Sequence, residues 1–181
     1  AEMTKELVIA SKGRAFVLFT SHRVMNLVAG LLEDKINMPL FVQGTTSKRL
    51  LLEQFTKAKN AILLGTGSFW EGVDVRGDTL SLVIIDKLPF ASPDDPLLQA
   101  RIEDCKLKGL DPFKQVQIPQ AVISLKQGVG RLIRDVTDKG ALVICDPRLV
   151  TRNYGEIFMR SLPNMAKTRD LDLVKEFLEK L

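Results

Sequence analysis

Short apolar runs alternate along the chain with stretches whose apolar residues recur at helical spacing. Ala15-Phe16-Val17-Leu18-Phe19 is uninterrupted and reads as a strand buried on both faces. Val24, Leu27, Val28, Leu31 and Leu32 predict a helix over 22–34. Leu40-Phe41-Val42 reads as a second strand, and Ser47 as the N-cap of a helix through about Lys57. Ala61 to Leu64 reads as a third strand, ending in the glycine-punctuated loop Gly65-Thr66-Gly67. A fourth strand, Leu80 to Ile85, is closed by Asp86, with a turn at Pro89–Pro93 and a polar helix from Asp94 to Lys108. Residues 109–117 read as irregular or extended, and 119–133 as a helix with Pro119 in its first turn. Ala141 to Cys145 reads as a fifth strand, followed by helices over Tyr154–Ser161 and Leu171–Leu181. Strands separated by helices predict an α/β domain with a doubly wound, mostly parallel sheet. Chemistry in such folds sits at the carboxyl ends of the strands. Those ends carry Thr20-Ser21, Gln43-Gly44, Gly65-Thr66-Gly67, Asp86 and Asp146 to Arg148.

Composition narrows the classes. At 181 residues, with 45% hydrophobic and 27% charged, the chain is long enough for one core and is neither disordered nor a membrane bundle. No run approaches the roughly 20 apolar residues of a membrane span, and no leader pattern opens the chain, so a cytoplasmic setting is expected. Cys105 and Cys145 are too far apart for a CxxC knuckle, and any zinc site or Ser-His-Asp triad would need His22, the single histidine. Net charge is +4, unevenly spread: Lys126 to Arg169 holds nine basic and four acidic residues, a local +5 against −1 for the rest. That asymmetry suits contact with nucleotide phosphate or nucleic acid, or equally an unevenly charged soluble surface.

The most informative segment is Gln127-Gly128-Val129-Gly130-Arg131-Leu132-Ile133-Arg134. On a helix, positions 127, 131 and 134 share one face, presenting an amide and two guanidiniums, the groups suited to bidentate phosphate binding. A second segment, Gly65 to Asp74, supplies small residues for close backbone approach, the carboxylates Glu71 and Asp74, and the aromatics Phe69 and Trp70. Phe69 reads as packing under the loop; Trp70 suits packing or base stacking equally. No G-x4-G-K-[ST] loop occurs, and no acidic Walker-B box follows a strand. Phosphate-reading arginines without a phosphate cradle fit a lobe that completes an ATP site held mainly by another domain.

In order and spacing these segments resemble motifs V and VI of superfamily 2 helicases of the DinG/XPD-like branch. The string Gly67 to Asp74, then Gly77-Asp78 and Asp86-Lys87-Leu88-Pro89-Phe90, is similar to the bacterial DinG/YoaA group, the YoaA side especially, and Phe19-Thr20-Ser21 resembles motif IV. The resemblance covers about Ala15 to Arg152. It implies a RecA-like, three-layer helicase C-terminal domain without a Walker A loop, spanning 1–181 with a terminal helix at 168–181, from a larger bacterial 5′-to-3′ DNA helicase of repair and replication. ATP and Mg2+ would be shared with a first lobe that also holds a 4Fe–4S cluster, so this segment alone is expected to be inactive. By motif match, Gln127, Gly130, Arg131 and Arg134 would face ATP, with Gly72 and Asp74 at the nucleotide edge. Glu71 would couple that edge to DNA, and Thr20, Ser21, Gln43, Thr45 and Trp70 would contact single-stranded DNA.

A different class of function stays open for the carboxyl tail. Val174, Phe177, Leu178 and Leu181 fall at i, i+3, i+4 and i+7, a stripe that either docks on its own sheet or binds a partner. The resemblance implies the clamp-loader chi subunit of DNA polymerase III as that partner. A free-standing nucleotide-binding domain is a third reading, and it would need a phosphate loop of its own.

Overall fold

The computed structural model describes residues 2–70, 80–130, 132 and 138–181, and for Ser68 and Trp70 the backbone alone. Among the described residues the strands β1 (Ala15–Phe19), β2 (Leu40–Val42), β3 (Ile62–Thr66), β4 (Leu82–Ile85) and β5 (Ala141–Ile144) form one sheet in the order β2-β3-β1-β4-β5, every pair parallel. Ala15 sits opposite Ile62 on one side and Leu82 on the other, which puts the carboxyl ends of β1, β3 and β4 on a common rim.

Side chains alternate between the two faces of each strand. Phe16 and Leu18 pack with Leu51 and Phe55 of α3 (Lys48–Ala58), Leu125 and Val129 of α6 (Ile118–Val129), and Phe158 of α8 (Gly155–Ser161). Ala15, Val17 and Phe19 face the other layer, with Leu7 and Val8 of α1 (Glu2–Ala10), Met25 of α2 (His22–Glu33) and Leu178 of α9 (Leu171–Glu179). The three central strands are buried throughout, which is why their sequences are continuous apolar runs; edge strands β2 and β5 keep partial exposure. Ser47 caps α3, its hydroxyl accepting from the Leu50 amide, and Asp95 caps α5 (Pro96–Leu107), accepting from Leu97 and Leu98.

Several elements depart from the sequence expectation. The segment before β1 forms α1, whose buried residues Thr4, Leu7, Val8 and Ala10 include a threonine and an alanine and so give only a faint apolar stripe. It closes through Ser11 to Arg14, where Gly13 has φ +77 and a Cβ would lie 2.2 Å from the Asn60 carbonyl oxygen, so only glycine fits. After β3 the chain enters a helical turn, α4 (Gly67–Trp70), directly rather than through a loop. Phe69 swings back over Gly65, whose missing Cβ would otherwise sit 2.8 Å from that of Phe69.

Residues expected to be irregular before α6 include a wide π-helical turn, Phe113–Gln117, opened by Asp111, which accepts from the Phe113 and Lys114 amides. Pro119 is the reason: in an α-helix its ring would collide with the carbonyl four residues back, and the wider turn makes room. Finally, α6 ends at Val129 with Gly130 as its C-cap, short of the expected 133. Arg131 and Arg134 lie outside the described residues, so the predicted three-residue stripe is described only at Gln127. A short helix, α7 (Arg148–Thr151), follows β5.

Candidate functional site

The rim formed by the strand carboxyl ends gathers the polar residues that the apolar runs leave behind. Thr20 and Ser21 follow β1, with Thr20 exposed. Ser21 occupies the N-cap of α2 in extended conformation without a side-chain capping bond. Next to it, Gln43 at the end of β2 and Thr66 at the end of β3 are joined: the Gln43 carboxamide oxygen accepts from the Thr66 amide at 2.6 Å and from its hydroxyl at 3.0 Å. That hydroxyl has one proton. Its 3.3 Å contact with His22 Nε2 therefore has the imidazole N–H donating to Thr66. Gln43 thus acts on Thr66, a task its motif position did not suggest. Thr45 donates its hydroxyl proton to the Val42 carbonyl at 2.9 Å.

A cleft of about 360 Å³ opens on this rim. Thr20 and Gly67 border it on one side, Pro89 to Ser92 on a second, and Gln120, Ser124 and Gln127 of α6 on the third. Gln127 is exposed on the last turn of α6, Gly130 caps that helix, and the buried Gln120 Oε1 has no hydrogen-bond partner among the described residues. Thr20 and Gln127, placed by sequence on a DNA edge and an ATP edge, therefore line one cavity. Glu71, Gly72, Asp74, Arg131 and Arg134 lie outside the described residues, as does the Trp70 side chain.

Beyond β4 and β5 the rim is ionic. Asp146, 5% exposed, accepts from the Leu88 amide at 2.8 Å and from the Arg148 amide at 2.9 Å. It also takes the Arg148 side chain edge-on: Nε lies 3.0 Å from each carboxylate oxygen and Nη2 2.6 Å from Oδ2. Burial alone would raise the Asp146 pKa; the hydrogen bonds from Arg148 and from the Leu88 and Arg148 amides outweigh it and hold the carboxyl below its ordinary value. Asp86 moves the other way. Burial raises it, Lys87 opposes, and the Asp146 charge adds to the rise; its Oδ1 has no hydrogen-bond partner among the described residues. This ionic pair was visible in sequence only as a strand end, because its key contact joins residues 58 positions apart.

The tail stripe divides. Leu178 is fully buried and Val174 and Leu181 are partly buried against the α1 side of the sheet, while Phe177 stays 40% exposed. Lys175 ties α9 to α1 through Glu6 at 3.0 Å. Among the described residues no group of three or more His, Cys, Asp and Glu side chains is arranged to hold a metal ion, and no helix is long and apolar enough to cross a membrane.

Comparison with known proteins places this rim in context. The helicase C-terminal domain family matches residues 4–165. The chain is 61% identical over 178 residues to the ATP-dependent DNA helicase YoaA of Haemophilus influenzae and 60% identical over 178 residues to that of Escherichia coli. Each alignment covers 98% of this chain and 28% of the relative's length. Among solved structures, an XPD helicase superposes with a TM-score of 0.64 at 23% identity, covering 92% of this chain and 31% of the helicase. That likeness shows a shared fold.

Proposed function

Because the chain belongs to the helicase C-terminal domain family, within the DinG/XPD-like branch of superfamily 2, we propose that it is the second RecA-like motor lobe of an ATP-dependent DNA helicase. The observation that carries this is the shared cleft: Thr20, after the first strand, and Gln127, on the last turn of α6, border the same cavity. A lobe that couples nucleotide state to a DNA grip needs those two edges side by side.

In this reading Gln127, Arg131 and Arg134 face a triphosphate whose P-loop is on the first lobe, with Gly130 giving close approach and Gly72 and Asp74 at the nucleotide edge. ATP binds more tightly to the closed pair of lobes than to the open one, and that difference drives the motion. Thr20, Ser21 and Glu71 serve the single strand through its backbone, which lets the lobe advance without reading sequence. Gln43 contributes by holding Thr66, and Thr45 offers oxygen rather than a proton. Mg2+ arrives with ATP, and the iron–sulfur cluster is assigned to the first lobe.

Arg131→Ala in the full-length protein tests the reading. DNA-stimulated ATPase falls by about a thousandfold, the scale of a lost arginine finger, while single-strand affinity measured by anisotropy is kept. Near-normal turnover overturns the finger assignment.

The exposed Leu173 and Phe177 on α9, 54% and 40% accessible, support a second, narrower reading in which that edge recruits a replisome subunit such as chi. Phe177→Ser then abolishes capture of chi on a sensor surface and leaves ATPase intact.

A further inference from the structure

We propose that Arg148 is a positioning residue for the single-stranded DNA path, latching the turn after β4 that forms one wall of the rim cleft. This rests on the reading that the strand lies along that rim. The turn has few anchors of its own. Leu88 points into the core, 1% exposed, and its amide donates to Asp146. Asp146 can take that bond only in one orientation, and the edge-on grip of the Arg148 guanidinium fixes it. The guanidinium carbon then lies 5.3 Å from the centre of the Phe90 ring.

Behind it, Phe90 stacks on Phe113 at 5.7 Å between centroids and 19° between planes. Tyr154 and Phe158 meet the Phe90 ring edge-on at 5.8 and 5.7 Å. Phe113 opens the wide turn that leads into α6. Phe90 in one wall of the cleft is therefore tied through Phe113 to the turn that leads into α6, which carries the other wall, and the Arg148 guanidinium lies over the Phe90 ring. Lysine cannot replace it: a point charge does not hold a carboxylate through two of its own nitrogens.

The test uses Arg148→Ala, Arg148→Lys and Phe90→Leu in the full-length protein, with Thr20→Ala as reference. ATPase is measured against oligo-dT concentration, and thermal melting checks folding. Both Arg148 variants raise the DNA concentration for half-maximal stimulation about tenfold, the scale of one hydrogen bond lost or misplaced, while turnover at saturating DNA stays near that of the parent. Phe90→Leu, which spares the ion pair, shifts the same constant less, and it decides the matter should Arg148→Ala fail to fold. The salt dependence of binding is unchanged, because no phosphate contact is lost. Full rescue by lysine, or a salt slope shallower by about one, identifies Arg148 as a phosphate ligand instead and overturns the proposal. So does an unchanged DNA constant in the folded variants while Thr20→Ala weakens binding. If Thr20→Ala also has no effect, the placement of the strand on this rim fails first.

Discussion

At the β2–β3 end of the rim, Gln43 holds Thr66 by two neutral hydrogen bonds in a partly exposed setting. At the β4–β5 end, a carboxylate whose side chain is 2% exposed takes an amide from a distant turn and a guanidinium on its edge. Neutral bonds of the first kind contribute about 1 kcal/mol net, those to charged groups about twice that. The two ends therefore differ in what they hold. The ionic end fixes a turn whose own backbone gives it little support, whereas the neutral end links two strands already registered by their ladder.

Breaking the ionic end has the larger effect. Asp146→Ala leaves the Leu88 amide and the guanidinium without their acceptor. It lowers stability by about 3 kcal/mol, the lower end for a broken buried pair because Arg148 reaches water, read as a shifted urea midpoint at constant slope. The cost depends on pH in a stated direction. Asp146 is depressed in the folded state, so its contribution is complete above the unfolded carboxyl value and fades as pH falls through the lower folded value. The variant and the parent therefore converge in acid. Gln43→Ala costs about 1–2 kcal/mol and does not follow that acid window; a cost that did would erase the contrast between the two ends. The smallest effect has the opposite sign. Burial raises Asp86, so its ionisation opposes folding at neutral pH; that penalty shrinks as pH falls below the folded value and is gone only below the lower, unfolded one. Asp86→Asn raises the urea midpoint at pH 7 and leaves it unchanged in acid.

Much of this was legible in the chain. Strands buried on both faces advertise themselves as apolar runs, and Ser47 declared its helix by the ordinary preference for an N-cap hydroxyl. Helix α1 escaped notice because its burial rests partly on threonine and alanine. The wide turn at Phe113 escaped because it has neither the 3.6 nor the 2.0 period on which pattern reading depends. For the site, Thr20 and Gln127 were legible as rim residues from motif spacing. The role of Gln43 was not, since nothing in sequence tells a residue that touches a ligand from one that holds its neighbour. Asp146 and Arg148 were visible as polar residues after a strand, but Leu88 and Phe90 can be recognised as their partners only once the strands are side by side.

The wide turn ahead of α6 also governs how the chain tolerates a change of length. It accommodates one residue beyond an α-turn without twisting the helix it leads into, so it is a place where chain length can change while direction is kept. Removing a single residue between Lys114 and Gln117 keeps Phe113 and Gln127 aimed as before only if Pro119 is replaced as well, because in the ordinary helix that results its ring meets the carbonyl four residues back. A deletion one turn later, within α6, would instead turn Gln127 by about 100°, to the exposed place Lys126 now holds and away from the cleft.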